Sequence, residues 1–185
     1  MRSKRLLITI TLLALLSMLG GCSRWGNVDN PTGPSTVTPK VYMDPASISR
    51  SVNQQFTISV YVENVTNLYY ANIYIKFDPT KVSYVSSAIG SFLEQGLQQS
   101  EIAFNTSIYE GSILNVAPAR LNPSKGGVSG SGTLCTVTFK AINLTGGTAT
   151  NINFLNEGAY DLGFRDPSDN EIEKTVGNGT TVNII

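Results

Sequence analysis

Along residues 40 to 185, apolar and polar positions alternate with a period of two. Phe56, Ile58, Val60 and Val62 are interleaved with Thr57, Ser59, Tyr61 and Glu63, the pattern of a strand that buries one face and wets the other. From Leu68 to Phe77 the pattern repeats, with Ala71, Ile73, Ile75 and Phe77 on one side and Tyr70, Asn72, Tyr74 and Lys76 on the other. A third run, Leu134 to Ala141, sets Cys135, Val137, Phe139 and Ala141 against Leu134, Thr136, Thr138 and Lys140. Shorter strand segments are expected at 41–43, 82–86, 102–108, 112–116, 148–154, 158–162 and 179–185. Turn chemistry separates them at Asp78-Pro79, Glu110-Gly111, Gly126-Gly127, Gly146-Gly147, Asp166-Pro167 and Asn178-Gly179, because Gly and Asn tolerate positive φ and Pro cannot continue a ladder. Helical period is confined to one weak turn near Ser91 to Gln99. About nine or ten short strands at this spacing predict an all-β fold, an antiparallel sandwich or jelly roll.

The first 39 residues follow different rules. Arg2, Lys4 and Arg5 precede an uncharged Leu- and Ile-rich run, Leu6 to Leu19, which is shorter than the roughly 20 residues of a membrane span and reads as an export signal. It ends in Leu19-Gly20-Gly21-Cys22, which resembles the cleavage and lipidation box of bacterial lipoproteins, with Gly20 where Ala or Ser is more usual. That resemblance implies cleavage before Cys22 and acylation of its thiol, whose acyl chains hold a bilayer through about 0.8 kcal/mol per buried methylene; the alternative is a plain secretory signal with a chance cysteine. Ser23 stands where lipoproteins of the retained class often carry Asp, so the expected location is an outer membrane or cell surface. Ser23 to Pro39, rich in Pro, Gly, Thr and Ser, buries too little apolar area to offset its ordering entropy and reads as a tether. The expected plan is a signal at 1–21, a lipidated Cys and tether at 22–39, and a folded body at 40–185.

Composition narrows the function. There is no His, which removes imidazole-based nucleophile pairs, His-ligated zinc and the one side chain that titrates near neutrality unaided. The 13 basic and 13 acidic residues balance, but the signal holds three of the basic ones and none of the acidic ones. The exported body is therefore mildly acidic, against a nucleic-acid binder.

The body also resembles the cohesin family. The carrying segments, in order, are Gln55 to Val65 (QFTISVYVENV), Leu68 to Pro79 (LYYANIYIKFDP), Gly90-Ser91-Phe92-Leu93, and Gly130 to Lys140 (GSGTLCTVTFK). The resemblance implies a jelly-roll β-sandwich of about nine strands, with no catalysis, in which one sheet face receives a dockerin, a small calcium-binding helical module. Two family contact positions on the strand before the Asp-Pro turn, an Asn and an Asp, fall here on Tyr70 and Asn72, so the family's hydrogen-bond scheme to a dockerin Ser/Thr pair is not carried over intact. Tyr109 matches an interface Tyr, and an acidic position of the next strand falls on Arg120.

The residues themselves point to the same face. Tyr70, Asn72, Tyr74 and Lys76 share one side of a strand, joined across strands by Tyr61 or Tyr109, and exposed aromatics are enriched at interfaces; the plainer account is that Tyr favours strands. The expected partner-binding residues are Tyr70, Asn72, Tyr74, Tyr109 and Arg120. Two further function classes stay open, a carbohydrate-binding module stacking sugars on exposed Tyr and a structural protein of an envelope assembly. Cys135 lies on the Val137 and Phe139 side, where an inert buried thiol is expected rather than a nucleophile. Asp166 to Glu171 (DPSDNE) could hold Ca²⁺ through oxygen donors or be a polar hairpin turn. It lacks the Gly and terminal bidentate Glu of an EF-hand loop, so no cofactor or metal is assigned. Nothing in the sequence sets two carboxylates across a cleft as a glycosidase would need.

Overall fold

A computed structural model describes residues 37–185; the export signal, Cys22 and all but the last three residues of the tether lie outside the described residues. Twelve strands form two sheets: β1 (Lys40–Asp44), β2 (Ser47–Arg50), β3 (Gln55–Leu68), β4 (Tyr70–Lys76), β5 (Val82–Ile89), β6 (Ile102–Tyr109), β7 (Ile113–Arg120), β8 (Val128–Ala141), β9 (Thr150–Leu155), β10 (Gly163–Arg165), β11 (Thr175–Val176) and β12 (Thr180–Ile184). One sheet runs β11-β1-β3-β8-β5. The other runs β2-β12-β9-β4-β7-β6, with β10 sharing the β9 flank of β4. Pairing is antiparallel except for β1 with β11 and β2 with β12, which are parallel. The result is the expected jelly-roll sandwich, and β2, β10 and β11 are short pieces beyond the nine anticipated.

The period-two pattern explains the core. Val41, Met43, Phe56, Ile58, Val60, Val62, Val137 and Phe139 of the first sheet meet Ala71, Ile73, Ile75, Leu114, Val116, Ile152 and Val182 of the second, all buried in one cluster. Phe139 is its aromatic hub, with ring centroids 5.3 Å from Phe77, 6.0 Å from Phe56 and 6.4 Å from Tyr84. Removing such a ring costs about 3–5 kcal/mol. Cys135 is fully buried in this cluster, and burial pushes its thiol up to about 12, as expected of an inert core cysteine.

Two stretches depart from the sequence pattern. The Gly- and Ser-rich segment 129–132 continues β8 along β3 through register shifts, with Gly132 opposite Val62 and Gly130 opposite Val65. Asn64 and Asn67 take positive φ there, and their freed N–H groups donate to the hydroxyls of Ser131 and Ser129 at 3.0 and 2.9 Å, which replaces ladder bonds that a bulge removes. The strand expected at 158–162 does not form. Gly158 has φ +61°, Leu162 N–H donates to Asn156 Oδ1 at 2.9 Å, and strand pairing begins only at Gly163.

The weak helical turn is α1 (Ser91–Glu94), which buries Phe92 and Leu93. It seats against β8 because Gly132 has no side chain: a Cβ there would come within 2.8 Å of Phe92.

Candidate partner-binding face

The outer surface of the second sheet follows from its register, since paired residues share a face of a pleated sheet. Tyr70 lies opposite Ala119, Tyr74 opposite Asn115 and Lys76 opposite Ile113. Beyond β7, Ile113 meets Tyr109, Asn115 meets Ser107, Ala117 meets Asn105 and Ala119 meets Ala103. On the other flank of β4, Leu155 is opposite Tyr74, Gly163 opposite Asn72 and Arg165 opposite Tyr70. The face is thus aromatic and apolar at one end, small in the middle at Ala117 and Gly163, and closed at the other end by Tyr70 and Arg165.

Three tyrosines make the aromatic end. Tyr74 lies 5.4 Å from Tyr160 in edge-on geometry and 6.4 Å from Tyr109, and Tyr109 lies 6.2 Å from Tyr160, within the range of favourable ring pairs. Tyr109 is 42% exposed, so the cluster is open on its outer side. Tyr160 Oη donates to Glu110 Oε1 at 3.1 Å; this bond to a carboxylate, more than burial, raises the phenol's pKa above its usual value.

A hydrogen-bonded line of side chains holds the middle. Asn115 Nδ2 donates to Asn72 Oδ1 at 2.6 Å and to the Ile73 carbonyl at 3.2 Å. Asn72 Nδ2 in turn donates to Tyr74 Oη at 3.2 Å. Asn115 is 9% exposed, and its amide fixes which way Asn72 turns. At the far end Tyr70 is half-buried, and burial raises its pKa, with Tyr74 adding and Arg165 opposing.

Tyr70, Asn72, Tyr74 and Tyr109 therefore stand on one surface, as the sequence reading expected. Arg120 does not join them. Its register partner on β6 is Ile102, which places it on the inner face, 4% exposed. Its Nη1 donates to the carbonyls of Leu93 and Gln95 at 2.7 and 3.0 Å, tying down the end of α1; burial lowers its pKa. The reading of Arg120 as a partner contact is corrected to a buried brace, because alternation carries the residue after Ala119 inward. Tyr61 is likewise not part of the face: it lies on β3 of the other sheet, 5.4 Å from Tyr42.

Asn115, Tyr160 and Glu110 escape a sequence reading. Asn115 looks like one polar position of an ordinary strand, and Tyr160 lies in a loop that only the fold brings to Tyr74. The Asp166 loop turns its donors on itself: Asp166 Oδ1 accepts from Ser168 N and Asn170 N at 2.8 and 2.9 Å, and Oδ2 from Asn170 Nδ2 at 3.0 Å. Those bonds lower its pKa and describe a polar turn. Among the described residues no group of acidic or sulfur side chains has metal-binding geometry.

A two-sheet jelly roll carrying a pre-organised aromatic face is the form of a recognition module. The model of the cohesin domain matches residues 41–184, and the chain belongs to that family. Among curated proteins none matches the sequence. Solved structures share the fold. A non-cellulosomal cohesin from the hyperthermophilic archaeon Archaeoglobus fulgidus is 15% identical with a TM-score of 0.62, covering 80% of this chain and 92% of that one. The sixth cohesin of scaffoldin B from Acetivibrio cellulolyticus, in complex with a mutant Cel5 dockerin, is 16% identical with a TM-score of 0.67, covering 80% and 100%. The OlpA cohesin of Clostridium thermocellum, in a type I complex with Doc918, is 14% identical with a TM-score of 0.64, covering 80% and 100%. At these identities the likeness is one of fold.

Proposed function

We propose that this protein is a non-catalytic binding module whose outer β6-β7-β4-β10 face docks a protein of the dockerin type, while Cys22 anchors the chain by lipid to a bacterial membrane. The observation that carries the reading is the Asn115–Asn72–Tyr74 line leading into the Tyr74–Tyr109–Tyr160 cluster. It fixes an aromatic patch before any partner arrives, which lowers the ordering cost of binding. Tyrosines in such positions are frequent hot spots. The cohesins of Acetivibrio cellulolyticus and Clostridium thermocellum are described in complex with dockerins, which makes a dockerin the first partner to test.

The test is titration calorimetry of the full chain against the dockerin modules encoded in the same genome, with and without a calcium chelator. The expected result is 1:1 binding lost on chelation, because dockerins fold around calcium. The substitutions Tyr74→Ala and Tyr109→Ala together should weaken it by about 2 kcal/mol or more with the fold intact. Binding by none of those dockerins, or binding unchanged by the double substitution, would overturn the reading. Mass measurement of the membrane-extracted protein tests the anchor: acyl mass on Cys22 is expected, and an unmodified Cys22 thiol refutes it.

A further inference from the structure

The tyrosine cluster has a charge preference as well as a shape. Tyr109 and Tyr74 are the register partners of Ile113 and Leu155, which are buried although they point outward, so the rings stand on an apolar floor. The three rings are tilted against one another, at 51°, 54° and 70°. A cluster of this form offers no flat platform for a sugar ring. It offers inclined π faces, whose negative potential attracts a cation.

A carboxylate sits at the rim. Glu110 takes the first corner of the tight turn between β6 and β7, with φ +50° followed by Gly111 at +67° and the Ser112 N–H bonded to the Tyr109 carbonyl at 3.1 Å. Asn or Gly is the usual occupant of that corner, since a side chain crowds the backbone at positive φ. Here the corner carries a glutamate whose Oε1 accepts the Tyr160 hydroxyl, which holds the carboxylate against the cluster. The ion pair found among the described residues joins Lys174 to Glu171, so the Glu110 charge is left unneutralised. The cations that stand over rings there are Lys40 over Tyr42 and Lys174 over Phe164, which leaves the faces of these three tyrosines open. Glu157 and Asp161, both exposed, belong to the loop that carries Tyr160. Lys76 stands on the same face of β4, but it shares a cleft with Asp78 and Glu157, two acids to one base. Arg165 lies at the opposite end of β4, beside Tyr70.

We propose that Tyr74, Tyr109, Tyr160 and Glu110 together receive an arginine side chain of the protein partner. A planar guanidinium lies on a ring face while its N–H groups reach a carboxylate, which no neutral or acidic side chain does. This rests on the docking reading above and adds the chemistry that the partner must present there.

The site is tested first without a partner protein. The full chain, with isotope-labelled tyrosine, is titrated by nuclear magnetic resonance with N-acetyl-arginine amide and in parallel with N-acetyl-citrulline amide, its uncharged isostere, at constant ionic strength. A saturable shift of the Tyr74, Tyr109 and Tyr160 ring signals by the arginine compound alone is expected, with a midpoint on the order of 10 mM for so small a ligand. Glu110→Gln keeps an acceptor for the Tyr160 hydroxyl and removes the charge, and should raise that midpoint about fivefold. Equal shifts with both compounds, no shift with either, or a midpoint unmoved by Glu110→Gln would overturn the proposal. The same substitution separates this site from the docking reading. Against a dockerin that binds, Glu110→Gln should weaken binding about fivefold and flatten its salt dependence; binding indifferent to the substitution keeps the docking and removes the arginine from it. Arginine-specific ring shifts in a chain that no dockerin binds overturn the dockerin partner and keep the cation site.

Discussion

Replacing Arg120 separates a buried brace from a surface contact. Its guanidinium bonds two carbonyls, those of Leu93 and Gln95, and it is 4% exposed. Hydrogen bonds from a charged donor contribute at least about 1.5 kcal/mol each, roughly 3 kcal/mol for the two. The buried three-methylene stem adds about 2 kcal/mol at ~0.8 kcal/mol per methylene. Against this stands the cost of burying a cation: Nε has no hydrogen-bond partner and no carboxylate lies within bonding distance of the guanidinium among the described residues. Arg being the more weakly hydrated cation, we set that cost at about 2 kcal/mol. Arg120→Ala should therefore destabilise the fold by about 3 kcal/mol, lowering Tm by roughly 6–12 °C for a domain of this size. Arg120→Met keeps an apolar stem and sheds the charge, and should cost only about 1 kcal/mol. Urea titration followed by circular dichroism, at constant m, reads both values, and binding to the partner is measured on the same samples below the unfolding midpoint. A loss under 0.5 kcal/mol for Arg120→Ala with a tenfold loss of binding would refute the brace and return Arg120 to the interface.

Two other outcomes follow from the geometry. Asn115→Ala removes the amide that holds Asn72 and the Ile73 carbonyl; it should cost about 1–2 kcal/mol in urea unfolding and weaken partner binding by freeing Asn72 to rotate, whereas unchanged stability would show that the amide pair contributes nothing. Cys135, buried and with its thiol pushed up to about 12, should react with a disulfide reagent at pH 8 only as fast as the protein opens, measured in a Cys22→Ser background. Rapid stoichiometric reaction of the native protein would contradict its place in the core.

Strand alternation made the jelly roll legible because a one-residue slip would turn every apolar side chain of a strand to solvent. The same rule placed Tyr70, Asn72 and Tyr74 together on the outside of β4. It fails where pairing is irregular. The Gly-Ser stretch 129–132 has the composition of a turn, yet it lengthens β8, since the N–H groups freed at Asn64 and Asn67 find serine hydroxyls that lie more than 60 positions away. The segment 158–162 has the pattern of a strand, yet Asn156 and Gly158 hold it as a turn.

What the sequence determined alone is local and periodic: the strands, the buried side of each, the inert Cys135 and the family that the ordered motifs resemble. Tertiary structure decided which side chains meet. Tyr160 joins Tyr74 from a loop 86 positions later, Glu110 is engaged by that same Tyr160, and Asn115 reaches across from β7 to set Asn72. Arg120 was misplaced for a related reason: a loose family correspondence gave its role, while the register of β7 against β6 gave its direction, inward onto the carbonyls at the end of α1. Contacts between distant segments depend on strand register and on where loops return, and no spacing along the chain encodes either one.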